Sequence, residues 1–284
     1  MGISPLILSA SVALAPLPQC APAVAAAAPA PHPALWVVND DDTIIYLFGT
    51  FHALDGTENW FKQAVKTAFS QSDQLILETL VPEPARMPQP PLPVISGKGT
   101  ARMLPQNQAP SPMVQLAPSA SFLATTKLVM TGARAKGLST SQGADAVLRD
   151  AADQCGKPVG GLESFEFQLR MFSSLPPAVG PAGPSHDAQT VHALGTILSQ
   201  LEAGWGRGDI DGTFTPLLRQ MRSQSPQIYQ TMFVERNTRW AHWIADRLKE
   251  PGTVFVAVGA GHLSGPDSVQ IQLAGLGVKS ARIN

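Results

Sequence analysis

The stretch Thr253-Val-Phe-Val-Ala-Val-Gly-Ala-Gly-His-Leu-Ser-Gly265 decides how the rest of the chain is read. Thr253 to Val258 runs without polar alternation, the pattern of a strand buried on both faces. Gly259 and Gly261 then permit a sharp turn that residues carrying a Cβ resist. His262 is thereby delivered at the carboxyl end of a strand, where open α/β sheets place their ligands.

Working outward, the same device occurs a second time. Ala34-Leu-Trp-Val-Val and Thr43-Ile-Ile-Tyr-Leu-Phe are β-rich runs joined by Asn39-Asp-Asp-Asp42, which predicts a hairpin. The second run ends in Gly49-Thr50-Phe51-His52. Two further short runs, Gln74-Leu-Ile-Leu-Glu78 and Lys157-Pro-Val-Gly-Gly-Leu-Glu163, each read as a strand ending in an acid. Apolar residues at helical spacing predict helices over 58–70, 121–137, 144–155, 164–175, 188–203, 209–222 and 226–249, the last stopped by Pro251-Gly252. A short helix over 267–274 and a closing strand over 277–283 complete the pattern. Strands at both ends with helices between them predict an α/β (α+β) fold built as two related halves.

With 284 residues the chain can bury a sizeable core. A net charge of −1 and 14% charged residues exclude the basic face of a nucleic-acid binder. Cys20 and Cys155 are too few for a disulfide framework. Residues 1–30 are apolar and alanine-rich, ending in Ala-Val-Ala-Ala-Ala-Ala-Pro-Ala. They predict a secretory signal cleaved between Ala25 and Ala28, hence a periplasmic or secreted protein. No other stretch reaches the ~18 apolar residues of a membrane span, so residues 31–284 read as one domain without one. Residues 81–119 are proline-rich and aperiodic, and read as a mobile flap or insertion.

Four strand ends thus present His52, Glu78, Glu163 and His262. Two imidazoles and two carboxylates are ligand types for Zn²⁺, Mn²⁺ or Co²⁺; a carboxylate left off the metal can serve as general base. Each has a plainer reading: a hydrogen-bonded loop histidine, a solvated strand-end acid, or, for Glu163, a charge at the start of the next helix. Arg236 on the long helix suits a carboxylate or an oxyanion, and equally a surface pair with Glu235 or Asp246. His32, His186, His192 and His242 read as solvated and are set aside. Gly259-x-Gly261-x-x-x-Gly265 is one residue too long for the dinucleotide fingerprint, and no His-Glu-x-x-His, Cys-x-x-Cys, phosphate loop or Gly-x-Ser-x-Gly occurs.

These residues resemble the TraB/PrgY/GumN family, which includes the Tiki metalloproteases of animals. The resemblance rests on Leu35-Trp36 through Gly49-Thr-Phe-His52, Gln74 to Glu78, Gly143-Ala-Asp145, Gly156 to Glu163, Trp205 to Asp209, Arg236-Asn237-x-x-Trp240-Ala241 and Pro251 to His262. It implies a fold similar to the ChaN and erythromycin-esterase group, two small β-sheet halves flanked by helices with the site between them. It also implies a metal-dependent hydrolase of peptide bonds, using Mn²⁺ or Co²⁺. His52 and His262 would be metal ligands, Glu78 or Glu163 would complete the shell while the other activates water, and Arg236 would stabilise the oxyanion. The alternatives are a non-catalytic periplasmic binder of a peptide, a polysaccharide fragment or a haem-like ligand, and a metal-independent esterase in which a histidine activates water. The expected partner is a peptide or small-molecule substrate.

Overall fold

A computed structural model describes residues 31–57, 59–80, 120–176 and 187–284. The leader, the 81–119 segment and His186 lie outside the described residues.

The hairpin forms as its composition predicts. Strand β1 (Leu35–Asn39) pairs antiparallel with β2 (Thr43–Thr50), setting Leu35 opposite Phe48 and Val38 opposite Ile45. Asp40 shapes the turn: its Oδ1 accepts from the Thr43 N–H at 2.9 Å, the local acceptor role in which Asp favours turns. Strand β3 (Gln74–Thr79), β4 (Val159–Glu163) and β5 (Gly252–Gly259) follow, then the two-residue β6 (Ala281–Arg282).

Strand β5 pairs parallel with β2 on one side and with β3 on the other, and β4 pairs parallel with β3. The result is one sheet in the order β4-β3-β5-β2-β1-β6. The expected two sheet halves are therefore fused, because β5 fills the gap between them. In register, Thr50 stands beside Gly259, Leu77 beside Ala257, and Thr79 beside Glu163. Four parallel strands thus end along a single edge.

Helices cover both faces. Alternate β5 residues point to opposite sides. Phe255 and Ala257 join Phe48, Phe69, Leu148, Trp205 and Phe214, while Val254, Val256 and Val258 join Trp240, Ile244, Val269 and Leu273. The first layer comes from α1 (Gln63–Gln71), α3 (Ala144–Cys155), α5 (Ala188–Gly206) and α6 (Ile210–Gln224). The second comes from α8 (Glu235–Arg247) and α9 (Val269–Gly275). Helices α2 (Ala120–Ala135) and α4 (Phe165–Ser174) stand near the carboxyl edge of the sheet. Among the described residues, no helix is long and apolar enough to cross a membrane.

Three elements differ from the sequence expectation. Trp60 and Phe61 precede α1 and stack in the core, Trp60 on Phe48 with ring centroids 5.5 Å apart. The helix predicted over 226–249 is interrupted: α7 (Pro226–Tyr229) leads into a π-helical segment, Gln230–Val234, before α8 begins. The closing strand shrinks to β6 after Gly277, whose φ of +78° turns the chain.

Phe255 has no exposed surface and touches the rings of Phe48, Phe69 and Tyr46. Phe255→Ala is expected to cost about 3–5 kcal/mol through lost burial and the cavity left behind. Ile271→Ala, at a position 53% exposed, is expected to change stability by about 0.5 kcal/mol or less. Urea denaturation of the two variants checks the contrast.

Candidate active site

The carboxyl edge gathers the side chains that the strand ends deliver. Glu78 comes from β3 and Glu163 from the last position of β4. His52 lies two residues beyond β2, and His262 sits in the 3-10 turn Ala260–Leu263 that follows β5. The space among them exists because residue 259 is glycine. A Cβ on Gly259 would lie 3.1 Å from Glu78 Oε1, 3.2 Å from His52 Nε2 and 3.7 Å from His262 Cδ2. The two imidazoles are therefore no more than about 7 Å apart across that point.

Arg236 occupies the centre of the cluster. Its Nε donates to both Glu163 oxygens at 3.1 Å and its Nη2 donates to Glu78 Oε2 at 2.7 Å, while Nη2 also lies 3.0 Å from Glu163 Oε2 as an ion pair. Its Nη1 donates to His262 Nε2 at 3.2 Å and to the Met232 carbonyl at 3.4 Å. A guanidinium has five N–H donors; four of the five donate in hydrogen bonds, and both flanking carboxylates offset its charge. The surface pairing allowed by the sequence is overturned: the Arg236 side chain is 3% exposed and faces Glu78 and Glu163. Its ring contact is Trp240, 4.6 Å from the guanidinium carbon.

Each imidazole is fixed through its Nδ1. His52 Nδ1 donates to Asp145 Oδ2 at 2.6 Å, and Thr50 Oγ1 donates to the other Asp145 oxygen at 2.8 Å. Asp145 is placed by the start of α3, which docks on the loop holding His52: Ala144 N–H donates to the Phe51 carbonyl at 2.9 Å. A Cβ on Gly143 would collide with the His52 carbonyl. On the other side, Asn237 Nδ2 donates to the Asp267 carbonyl at 2.7 Å, so Asn237 Oδ1 is left to accept from His262 Nδ1 at 2.6 Å. That assigns the His262 proton to Nδ1 and the lone pair to Nε2. Phe233 and Trp240 clamp the His262 ring, with centroids at 4.8 and 4.5 Å.

The electrostatics separate the two histidines. The Asp145 carboxylate raises His52 from its ordinary 6.5 to about 9. Burial, opposed by Glu78 and aided by Arg236, pushes His262 down to about 3, so it is neutral. Burial works against ionisation of Glu78, but Arg236, then His262, His52 and the Gly259 N–H, hold its carboxyl well below the usual range.

Sequence reasoning therefore found the four strand-end groups, and the fold brings His52, Glu78 and His262 to one space. Glu163 is held apart from it by Arg236 and by Arg239, whose Nη2 lies 3.3 Å away. Asp145 and Asn237 were quoted only as parts of motifs; no local signal shows that they would face the two Nδ1 atoms. His192 and His242 are exposed on α5 and α8, as expected.

Above the cluster opens a cavity of about 730 Å³. Val129 and Met130 of α2, Phe172 of α4, Leu198 of α5, and Leu217 and Met221 of α6 contribute to its walls, and His52, Glu78, Asp145, Arg236 and His262 form its floor. A charged and imidazole floor under an apolar chamber can bind a largely apolar molecule and hold one polar bond of it against the acid and imidazole groups.

The His52 shift sets a pH dependence. A group with a raised folded pKa stabilises the fold fully below its unfolded pKa and loses that contribution as pH rises through the folded value. In metal-free protein the His52–Asp145 pair is thus expected to stabilise the fold below pH 6.5 and to lose this between 6.5 and about 9. Asp145→Asn should flatten that slope and return the His52 titration, followed by NMR, toward 6.5.

The model of the TraB/PrgY/gumN family matches residues 34–282. An uncharacterized protein YbaP of Escherichia coli (strain K12) is 32% identical over 138 residues, 49% of this chain and 50% of that protein. The YbaP of Shigella flexneri matches to the same extent. The chain spans about half the length of the curated relatives it matches. No solved structure gives a significant match. The family match covers both histidine turns, the two strand-end acids and the arginine helix, and the chain belongs to the TraB/PrgY/gumN family.

Proposed function

We propose that this chain is an exported, metal-dependent hydrolase of peptide bonds, with Mn²⁺ or Co²⁺, ahead of Zn²⁺, held by His52, Glu78 and His262. The observation that carries the reading is the space in front of Gly259. It is bordered by Glu78 Oε1 and by His52 Nε2, with His262 beside it, and both imidazoles have Nδ1 tied to an acceptor. Histidines that ligate metals are oriented in this way, through the nitrogen that does not bind.

The donor set fits a divalent transition ion in kind: a carboxylate, the His262 Nε2 lone pair, and His52 Nε2 once the ion displaces its proton. As the side chains stand, no three acid, imidazole or thiol groups among the described residues reach one ion. Loading at His262 thus requires the Arg236 Nη1 contact to open. Once bound, such an ion supplies Lewis acidity and lowers the pKa of a water.

The remaining groups have distinct tasks. Arg236 is held by Glu78, Glu163 and His262, so it acts here as a positioning residue that keeps Glu78 ionised and aimed. Glu163 anchors the arginine in place of joining the metal. Glu78 is the carboxylate that borders the space. Asp145 and Asn237 hold the two rings.

A second reading, a metal-independent esterase, is favoured by one observation. Arg236 already engages both Glu78 and His262, leaving the His52–Asp145 pair as the open group, with the His52 side chain 63% exposed. The non-catalytic binder rests on the cavity alone.

Hydrolysis of a peptide library by mature protein separates these readings. The proposal expects activity to disappear with chelator and return with Mn²⁺. Chelator-resistant hydrolysis would support the esterase, and saturable binding without turnover the binder. Asp145→Asn and Asn237→Ala are expected to lower metal affinity about 10–100-fold, measured by calorimetry. Export predicts a mature N-terminus between Ala25 and Ala28, which terminal sequencing of the exported protein checks.

A further inference from the structure

The cavity walls carry more information than the floor. Among the described residues that line the chamber, every formally charged group belongs to the floor: His52, Glu78, Asp145 and Arg236. Those charges are spent on one another. Arg236 is paired with Glu78 and Glu163, and His52 faces Asp145. Among the described residues, the walls carry no charged group to meet a substrate carboxylate, phosphate or ammonium group. Thr50, Thr79, Thr140 and Gln168 are the neutral polar side chains of the lining, and the other uncharged side chains apart from His262 are aliphatic, aromatic or thioether.

The shape of that apolar lining favours a flexible chain. Met130, Met221 and Met232 are unbranched and adaptable, and they fill irregular space around a guest more readily than they form a flat slot. Leu217, 40% exposed, reaches from the wall to solvent. A volume of about 730 Å³ lies in the range of sites that bury most of a ligand's surface.

We infer that the group this site accepts beside the bond to be cleaved is an uncharged aliphatic chain, running from the floor between α2, α5 and α6 toward Leu217. The inference rests on the hydrolase reading for what happens at the floor, but the chain-binding chamber is independent of metal and of turnover. Its substrates are then amides or esters whose acyl or side-chain portion is long and neutral.

The test uses neutral alcohols, which cannot be hydrolysed, titrated calorimetrically into the full mature chain. Each methylene removed from water is worth about fourfold in affinity. From 1-hexanol to 1-decanol, four methylenes longer, binding should therefore tighten about 250-fold. Leu217→Glu and Met221→Glu, at positions that are not fully buried, should weaken 1-decanol binding tenfold or more while the circular dichroism is unchanged. Ile271→Ala, outside the lining of the chamber, should bind 1-decanol as the parent does. Binding that ignores chain length, wall variants as tight as the parent, or a preference for decylamine or decanoate over 1-decanol would overturn the inference. Length-dependent binding with no hydrolysis of any ester or peptide would leave it standing and sink the hydrolase reading instead.

Discussion

A buried guanidinium is costly unless its N–H groups and its charge are met, and the carboxyl edge of this sheet is arranged around Arg236. Glu78 from β3 and Glu163 from β4 neutralise it, while His262 and the Met232 carbonyl accept from Nη1. Removing one member leaves another charged and buried, at a cost of about 3–5 kcal/mol. Replacing the whole set by apolar residues could leave stability unchanged, so stability alone is a weak reason for such a cluster. Its structural effect is positional: one side chain fixes the relative placement of two strand ends, a turn and a helix.

The scaffold makes that placement available. The parallel register puts Thr50 beside Gly259, so both histidine turns leave the sheet at the same level. The π-helical segment before α8 changes how side chains follow one another around that helix. Phe233 then covers His262 while Arg236, three residues on, reaches the acids. π-Helical turns concentrate at functional sites. Gly259 leaves open the point that three groups share, and the N-terminus of α3 brings Asp145 to His52 across the loop. Backbone features set the geometry, and side chains complete it.

Much of this was legible in the sequence, for physical reasons. A run such as Val254 to Val258 has one economical home, the middle of a covered sheet, and glycine followed by histidine marks where it ends. The four strand-end groups followed from that. Fusion of the halves into one sheet was not legible, because the partners of β5 are remote in sequence and pairing leaves no local mark. Nor were the roles of Asp145 and Asn237, which depend on how α3 and α8 dock. Arg236 was visible as a residue, but its burial was not: a helix pattern shows which face is apolar and does not show that a charge on it meets two acids from other strands. The interruption at 230–234 had no glycine or proline to announce it.

The central claim is that two separated glycine–histidine turns serve one ion. Pulsed EPR on the Mn²⁺-loaded mature chain tests it most directly, because nitrogen nuclei of coordinated imidazoles modulate the electron spin echo. The account predicts modulation from two imidazole nitrogens, reduced to one in His52→Ala and to the other in His262→Ala. A manganese signal coordinated by oxygen alone, or modulation unchanged in either variant, would contradict it.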